Sequence, residues 1–555
     1  MVPGQPKSGD EDRGGVPREK AARVSGSDEL TGLSSPLVQA TLCGILVRLL
    51  TAWLGPGFHA RDDYFHVLAP ALAWIDDPTF NWQESHLPGA GLRSELFPRL
   101  IQAAIMTAHS AGIRSPENVL STLHTLLGLY SALAIPATWA LCRNLKLSHA
   151  TTVIATWLMA LHFAMPYVGT RLLIESMSIP PLIFGLSWCA KGTQRSFLIG
   201  GFLVGMSTWF RYQVGAAGIG LALGIGWMQW RQDGLRGMLR HTIPLGLGAA
   251  LALSLQGSLE LLTTGEFLSS VRNNIAFNLN PPDGLTRSNP LSYLGFWLAL
   301  TLPPVTFILA KPLLHAGRKL WLLSWPFIVF VALHSIVGHK EERFMIPMLP
   351  LFIIVLATAI TELEESARPS IKRWWPPARA FLFIVHALAL GLIMTSQSQQ
   401  NLRLTMQTLR NEPRLSHLVS IGPEIQDYFL ARKETVATSE KRHFDARWVH
   451  QTTQQIKSAM PARLHFISFV TDRAKLHIFL LAEGLRCQKE RTINGWWLDR
   501  LAAKLNPRHN RRRAPIDLWS CEIPTVAQIS QSSSSSVARV SKSGPNLSVT
   551  ESARR

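Results

Sequence analysis

The chain has 555 residues, of which 47% are hydrophobic and only 16% are charged, and its mean hydropathy is positive at +0.14. This balance is unusual for a soluble protein of this size. The net charge of +19 would favour nucleic-acid binding in a soluble protein, but much of it lies in short loops beside apolar runs, where Lys and Arg set membrane orientation. We therefore predict a multi-pass membrane protein that binds no nucleic acid.

The two ends of the chain differ from the rest in composition. The first thirty residues are polar and rich in turn-forming residues, without the apolar core of a cleavable signal sequence. We predict that residues 1–36 form a disordered cytosolic tail. The serine-rich segment 525–555 is of low complexity and is predicted to form a second disordered tail.

About eleven apolar segments have lengths close to those needed to cross a bilayer. They are 37–54, 118–142, 149–165, 172–190, 196–210, 214–230, 241–262, 291–310, 321–338, 344–361 and 378–395. A shorter amphipathic segment, 99–113, is a candidate for the membrane interface. The predicted fold is an all-α polytopic transmembrane domain over residues 37–395, with a long first outer loop at 55–98.

The basic loops set the expected orientation of these segments. Four short loops contain almost no acidic residues and hold Arg143, Lys146, Lys191, Arg195, Arg231, Arg236, Arg240, Lys311, Arg318 and Lys319. The positive-inside rule places these loops in the cytosol. An odd number of spans then places residues 396–524 outside the cytosol, as a small soluble domain of mixed polar and apolar residues. Within it, Cys487 and Cys521 could pair if this region faces an oxidising compartment.

The remaining charges beside spans fall on the non-cytosolic face. In the first outer loop, Asp62 and Asp63 could act as general base and orienting partner, because a base needs a fixed position near its proton donor. The same pair could instead cap a helix N-terminus. Farther along this loop, Arg93 could bind a phosphate through two hydrogen bonds or extend to lipid headgroups.

Charged side chains near the membrane are costly and point to function or to a partner. Arg171 and Glu175 are four residues apart, a spacing that favours a pair on one helix face. Arg211 is the only charge in a stretch of about 35 residues, and it could equally lie at the interface. The Asn-rich loop 263–290 could present amides to sugar hydroxyls or be an ordinary connector.

Five polar residues between two apolar runs are the most constrained feature. They are His339, Lys340, Glu341, Glu342 and Arg343. Helical spacing would place the first and the last two on one face, where the cations suit an anionic headgroup and Glu342 would orient an arginine. Juxtamembrane charge that only aids solubility is the alternative.

The stretch "HKEERFMIPMLPLF" resembles the HKEERF motif of the polytopic GT-C mannosyltransferases that assemble asparagine-linked glycans and GPI anchors, glycosyltransferases of family 22. Four further stretches are similar to that family's motifs: "ARDDYFHVLAPA" to its first-loop Pro-Asp-Glu signature, "LRSELFPRL" to Arg-Ser-x-x-x-Pro, "GTRLLIESMS" to Arg-Thr-x-x-Asn-x-x-Glu, and "SNPLSYL" to Pro-Trp-x-Tyr-Tyr. The five motifs occur in the family's order within residues 37–395.

The resemblance includes departures from the family pattern. Asp63 stands for Glu, His66 for Gln, Ala69 for the following Glu, Ile174 roughly where Asn is usual, and Leu291 for Trp. These departures leave Asp62 as the expected base, and they indicate a divergent member of the family.

The resemblance implies a transferase that moves a hexose, mannose in the family, from a polyprenyl or dolichyl phosphate donor to a lipid-linked glycan acceptor with inversion. It implies Asp62 and Asp63 as catalytic residues, and no obligatory metal or other cofactor. On the same face, phosphate-binding cations are available: His339, Lys340, Arg343, Arg93 and Arg211. Supporting residues would be Glu342, Glu341, Arg171 and Glu175. The protein would lie among membrane lipids, in the endoplasmic reticulum membrane of a eukaryote or the inner membrane of a bacterium.

Two other functions are compatible with a polytopic membrane protein. A transporter or lipid flippase predicts polar residues at mid-span and repeat symmetry, whereas the charges here cluster towards one face. A non-catalytic membrane scaffold predicts that Asp62→Ala leaves function intact.

The orientation leads to a direct prediction. A reporter fused after residue 400 should give its signal outside the cytosol, because an odd number of spans precedes it. Compartment-specific reporter activity measures this, and a fusion in the basic loop at 231–240 is the cytosolic control. A cytosolic signal from the fusion after residue 400 would refute the orientation.

Overall fold

A computed structural model describes residues 34–85, 90–280, 289–302, 305–366, 369–431, 436–441, 443–458, 463–507 and 510–522. The predicted tail 525–555 lies outside these residues, as does all of the predicted tail 1–36 except its last three residues. The final residue of that tail, Pro36, already begins the first helix.

A bundle of helices forms the N-terminal two thirds of the chain. Its first part comprises α1 (Pro36–Leu54), α2 (Arg61–Asp63), α3 (Ala69–Asp76), α4 (Leu96–Ser110), α5 (Pro116–Ala132), α6 (Ala134–Asn144), α7 (His149–Leu161), α8 (Ala164–Thr170), α9 (Ile174–Met177) and α10 (Ile179–Cys189). Its second part comprises α11 (Gln194–Ser207), α12 (Gly215–Thr264), α13 (Ser269–Leu279), α14 (Ser292–Leu300), α15 (Val305–Lys319), α16 (Trp321–Ile336), α17 (Leu349–Glu364) and α18 (Pro369–Met394). Helix α1 packs against α5 and α7, and α11 packs between α10 and α12.

The predicted number of eleven spans is not confirmed. Among the described residues, five helices are long and apolar enough to cross a membrane, or up to seven if each of two bent helix pairs counts as one span. The predicted spans do coincide with apolar helices, but 172–190 is divided between α9 and α10, and α11 and α16 have only 14 and 16 residues. Hydropathy measures an apolar stretch, whereas a span requires an unbroken helix of sufficient length.

Helix α12 contains two of the predicted spans, 214–230 and 241–262. Its 50 residues are interrupted at Gly234, where φ is +64°, a conformation that glycine adopts readily. A Cβ atom at Gly226 would lie 3.5 Å from the side chains of Met238 and Thr242. Residues 226 and 238 would be about 18 Å apart along a straight helix. The chain therefore folds back at Gly234 into a helical hairpin.

The start of the first outer loop is helical. Residues 61–76 form α2, a π-helical turn (Tyr64–Leu68) and α3 in succession. Its aromatic residues are buried: Phe58 and Tyr64 pack edge to face with ring centroids 5.7 Å apart, and Phe58 also contacts Phe429 of the C-terminal domain. Burial of these rings fixes the segment that carries Asp62 and Asp63. The predicted amphipathic segment 99–113 falls largely on α4.

The C-terminal domain is a small mixed sheet with helices, in agreement with the predicted fold class. Its elements are α19 (Gln400–Arg410), β1 (His417–Ile421), α20 (Asp427–Leu430), β2 (Ala437–Lys441), α21 (Ala446–Ser458), β3 (Arg463–Phe469), α22 (Arg473–Ala482), β4 (Arg486–Ile493), α23 (Trp497–Leu505) and β5 (Ile516–Glu522). The strand order is β2-β1-β3-β5-β4. Strand β1 is parallel to both β2 and β3, and β5 is antiparallel to both β3 and β4.

A disulfide joins Cys487 on β4 to Cys521 on β5, where the two residues are direct cross-strand partners. This is the pairing that the sequence allowed. The domain also binds the bundle through ion pairs, with Arg410 on Glu117 at 3.0 Å and Arg61 on Glu424 at 2.6 Å. These contacts hold the domain over one end of the helices.

Arg48 is a fully buried cation within α1. Its Nη1 and Nη2 donate to the carbonyl oxygens of Ala160 and Met159, at 3.1 and 3.3 Å, and its Nε donates to Ser131 Oγ. The two carbonyls lie in the last turn of α7, just before the 50° bend between α7 and α8. Carbonyls at a helix end lack helical partners, so Arg48 caps the break from a neighbouring helix.

Replacing this cap should destabilise the bundle. We expect Arg48→Met to lower the free energy of unfolding by about 2 kcal/mol, because two buried carbonyls lose their donors. Thermal unfolding of the purified protein in detergent measures the loss. Arg143→Met, at an exposed position in the last turn of α6, is the matched control and should melt like the wild type. Equal melting of Arg48→Met and the wild type would show that the cap contributes nothing.

Candidate active site

Asp62 is the centre of a cluster of charged side chains. Its Oδ2 atom accepts hydrogen bonds from Arg343 Nη2 at 2.6 Å and Arg93 Nη2 at 3.0 Å, and His66 Nδ1 lies 3.3 Å away. Burial by itself raises the pKa of Asp62, but Arg343, His66 and Arg93 outweigh it and hold the pKa well below its usual range. Three segments far apart in sequence thus meet at one carboxylate.

Asp63 has a different environment although it is adjacent in sequence. Its Oδ2 atom accepts hydrogen bonds from the main-chain N–H groups of His59 at 2.7 Å and Ala60 at 3.4 Å. Only 1% of its surface is exposed, and this burial raises its pKa to about 7 in spite of nearby Arg343. The sequence left two roles open for the acidic pair, general base or helix cap. Asp63 has the capping role, because its carboxylate holds the first turn of the helix that begins at Arg61.

The motif at 339–343 supplies Arg343 and its orienting residue. Arg343 Nε donates to Glu341 Oε2 at 2.5 Å, and Glu341 also contacts His339 Nε2 at 3.0 Å. Orientation by Glu342 was predicted, but Glu341 has this role, because residues 339–341 are not helical and the one-face spacing does not apply. Lys340 Nζ donates to the carbonyl oxygen of Val337, just past the end of α16, where a cation is favoured by the helix dipole.

The predicted pair of Arg171 with Glu175 is wrong. The backbone of Arg171 is extended, with ψ of 157°, so the two residues do not share one helix. Arg171 instead donates to the carbonyl oxygens of Gly57 and Ser396 and lies over the ring of Tyr167 at 4.4 Å. It therefore fastens the start of the first outer loop to the segment that follows α18.

Glu175 pairs with Arg211, which extends the cluster away from Asp62. Arg211 Nη1 lies 2.6 Å from Glu175 Oε1, and the same oxygen is 4.0 Å from Arg343 Nε. The guanidinium of Arg211 also lies 4.5 Å from the ring centre of Phe344. Arg93, Arg343 and Arg211 thus face Asp62, Glu341 and Glu175, so that three cations balance three carboxylates in a largely buried site.

Amides from α13 position the loop that carries Arg93. Asn273 and Asn274 donate through Nδ2 to the carbonyl oxygens of Gly91 and Leu92, at 3.2 and 3.0 Å. The Asn-rich loop was a candidate for contacts with sugar hydroxyls; its amides instead hold main-chain groups next to Arg93. Part of that loop, 281–288, lies outside the described residues.

Glu260 is a buried acid that the sequence predictions omitted. Its carboxylate accepts hydrogen bonds from the main-chain N–H of Ser270 at 3.1 Å, from Gln256 Nε2 at 3.0 Å and from the hydroxyl of Ser270. Tyr212, next to Arg211, joins the same network. Glu260 therefore anchors α13 to α12 and to the segment that carries Arg211. Its position inside an apolar span was the signal that could have identified it.

A cavity of about 490 Å³ opens beside this cluster. Arg343 and Glu342 line one side of it, together with His59 and Tyr167. Most of the remaining wall is apolar and is contributed by Phe163, Ala164, Val168, Phe296, Leu300, Ile346, Leu349, Ile393, Leu498, Leu501, Ala502 and Leu505. Arg343 thus lines the cavity while its guanidinium bonds Asp62.

A metal site requires several ligand side chains that surround one position. Within the described ranges, no group of three or more His, Cys, Asp or Glu side chains is arranged to hold a metal ion. The positive charge observed at the cluster comes from the guanidinium groups of Arg93, Arg211 and Arg343.

Comparison with solved structures identifies the fold. ArnT from Cupriavidus metallidurans bound to undecaprenyl phosphate superposes with a TM-score of 0.56 at 10% identity, over 87% of this chain and 97% of that one. Apo ArnT gives 0.55 at 11% identity over the same shares. The Archaeoglobus fulgidus oligosaccharyltransferase in complex with zinc and sulfate gives 0.45 at 10% identity, over 81% and 70%. At such identities the likeness to ArnT concerns the fold alone.

Comparison with protein families gives a more specific result. The model of the Alg9-like mannosyltransferase family matches residues 39–423. This range begins within α1, includes Asp62, Arg93, Glu175 and Arg343, and ends just after β1. The chain therefore belongs to the Alg9-like mannosyltransferase family, and it is a membrane-embedded glycosyltransferase with a GT-C fold.

Proposed function

We propose that this protein transfers a hexose, mannose as in its family, from a polyprenyl or dolichyl phosphate donor to a lipid-linked glycan acceptor, with inversion at the anomeric carbon. The observation that carries this proposal is the bond from Arg343 to Asp62 at the edge of an apolar cavity. In this arrangement, a guanidinium group that can bind a phosphate lies beside a carboxylate that can act as a base. The apolar wall of the neighbouring cavity can accommodate a lipid chain. The undecaprenyl phosphate bound to ArnT supports a lipid phosphate as the carrier.

Accessibility distinguishes the two carboxylates as candidate bases. The side chain of Asp62 is 18% exposed, whereas Asp63 is 1% exposed and bonds the main chain. A general base must come within hydrogen-bond reach of the proton that it removes. Asp62 is therefore the proposed base, and Asp63 holds the turn that positions it.

The pKa of Asp62 is low in the site without a bound donor. A donor phosphate bound at Arg343 and Arg93 competes with Asp62 for their N–H groups. It also brings negative charge into a cluster whose three arginines and three carboxylates are balanced. Both effects raise the pKa of Asp62, because a nearby anion favours the neutral form of a carboxyl group. Donor binding thus makes Asp62 a stronger base.

The proposed reaction is a single displacement. The acceptor hydroxyl oxygen forms a bond to the anomeric carbon while the bond from that carbon to the phosphate oxygen breaks, and its electron pair stays on the phosphate. Asp62 takes the hydroxyl proton. One displacement inverts the anomeric centre, and Arg343 and Arg93 stabilise the charge on the leaving phosphate. We expect no requirement for a metal or other cofactor.

The predicted orientation places this site outside the cytosol, on the lumenal side of the endoplasmic reticulum in a eukaryote or the periplasmic side of a bacterial inner membrane. The bond between Cys487 and Cys521 supports this placement, because disulfides persist in oxidising compartments.

The adjacent carboxylates allow a matched test of the base. We expect Asp62→Asn to lower turnover by about 100-fold or more, the usual contribution of a general base. Asp63→Asn should retain most of its turnover, because an amide oxygen can still accept the two main-chain hydrogen bonds. The assay incubates each purified variant with polyprenyl phosphate mannose and a lipid extract from cells that lack the protein, and follows the mass of the glycolipid product. Wild-type turnover in Asp62→Asn, at unchanged melting temperature, would rule out Asp62 as the base.

The raised pKa of Asp63 predicts a pH dependence of stability. Its folded-state pKa of about 7 exceeds the usual 3.8, so the folded protein keeps a proton that the unfolded chain has released. This contribution to stability is full below about pH 4 and is lost as the pH rises through about 7. From about pH 5 to about pH 8, the melting temperature of the wild type should fall relative to that of Asp63→Asn. Parallel melting curves for the two proteins would contradict this.

A further inference from the structure

The cavity beside Arg343 is completed by the C-terminal domain. Helix α23 contributes Leu498, Leu501, Ala502 and Leu505 to its wall, and Arg513 of the following turn also lines it. The family match ends at residue 423, so these side chains lie beyond it. Part of the binding surface therefore comes from the portion of the chain that the family does not describe.

Arg513 is held at the cavity by a buried acid. Its Nε atom lies 3.6 Å from Asp499 Oδ1, and Asp499 Oδ2 accepts a hydrogen bond from the main-chain N–H of Gln399 at 2.9 Å. Asp499 is 2% exposed, whereas 35% of the Arg513 side chain is exposed. The acid is thus fixed by the segment after α18, while the guanidinium keeps surface available for a ligand.

Two arginines, Arg343 and Arg513, line this cavity. Burial, followed by the charges of Arg343 and Arg513, lowers the pKa of His59 to about 4, so His59 is neutral near pH 7. Glu342 and Asp499 also line the cavity. Ser398 lines it as well, and its hydroxyl group is buried without a hydrogen-bond partner among the described residues. A buried hydroxyl without a partner is costly, and a bound oxyanion would satisfy it.

We propose that Arg513 is a further ligand for the phosphate of the lipid donor, in addition to Arg343 and Arg93, and that α23 forms the roof of the donor cavity. This proposal rests on the proposed function, because it assigns the cavity to the donor. The ligand class is a phosphate monoester or diester attached to a long apolar chain. The apolar wall favours a lipid phosphate over free phosphate, because each buried methylene of the lipid chain adds to the binding free energy.

Binding to the purified full-length protein tests the role of Arg513. The probes are undecaprenyl phosphate and, separately, inorganic phosphate, and the readout is the dissociation constant in detergent. We expect Arg513→Ala to weaken undecaprenyl phosphate about tenfold or more, the usual effect of losing a charged hydrogen bond. Arg513→Lys should recover part of the loss. With donor sugar attached, Arg513→Ala should raise KM with a smaller effect on kcat.

Arg511→Ala is the matched control. Arg511 lies in the same 3₁₀ turn as Arg513 but bonds Asp472 at 2.6 Å and does not line the cavity. It should bind the lipid as the wild type does. If the wild type binds the lipid and Arg513→Ala binds it equally well, the inference fails while the proposed function stands. If the wild type does not bind the lipid at all, the proposed function fails. Equal affinity of the wild type for both probes would refute the lipid assignment.

A variant on the roof keeps the test informative if Arg513→Ala does not fold. Leu501 lines the cavity and is 43% exposed, so its replacement by Asp costs little packing and places a negative charge at the cavity. Leu501→Asp should weaken undecaprenyl phosphate without lowering the melting temperature of the unliganded protein. Unchanged lipid affinity in Leu501→Asp would show that α23 is not the roof of the donor site.

Discussion

The bond between Arg343 and Asp62 is the interaction on which the rest of the site depends. It joins side chains 281 positions apart in sequence, and Arg343 is 7% exposed. Buried charges need compensating charges or hydrogen bonds, and Glu341 and Arg93 provide them around this pair. The amides of α13, the pair of Glu175 with Arg211 and the cap at Asp63 each orient one member of the group. Burial therefore converts separate loops into a single rigid site.

The sequence predicted the members of this site better than it predicted their partners. The positive-inside rule and the alternation of spans predicted that Asp62, Arg93, Arg211 and Arg343 lie on one face. The pairing of Arg171 with Glu175 assumed a continuous helix, and tertiary packing breaks that helix between α8 and α9. Arg343 bonds Asp62 and Glu341, and their neighbours Asp63 and Glu342 do not share this role. The choice depends on the local backbone, about which spacing in sequence gives no information.

Hydropathy located the apolar helices but not the way in which they cross the bilayer. Inside a protein, short or broken helices are tolerated because neighbouring helices satisfy their free backbone groups, as Arg48 does at the end of α7. The contribution of α23 to the cavity had no local signal at all. The sequence predicted only that this segment belongs to a small soluble domain, and the position of α23 follows from strand pairings between distant segments. Transport remains disfavoured, because the charges converge on one site instead of lining a path.

The charge balance of the cluster gives the C-terminal domain a chemical role. Three arginines and three carboxylates leave no excess positive charge for an incoming phosphate. With no further cation, phosphate binding would favour proton uptake by Asp62 from solvent, and a protonated Asp62 cannot accept the acceptor's proton. In the proposed donor site, Arg513 supplies a further guanidinium group, whose charge it shares with Asp499 at 3.6 Å and which does not bond Asp62. In this proposal the phosphate competes with Asp62 for its arginines while Arg513 bears part of the phosphate charge, so the C-terminal domain takes part in activating the base.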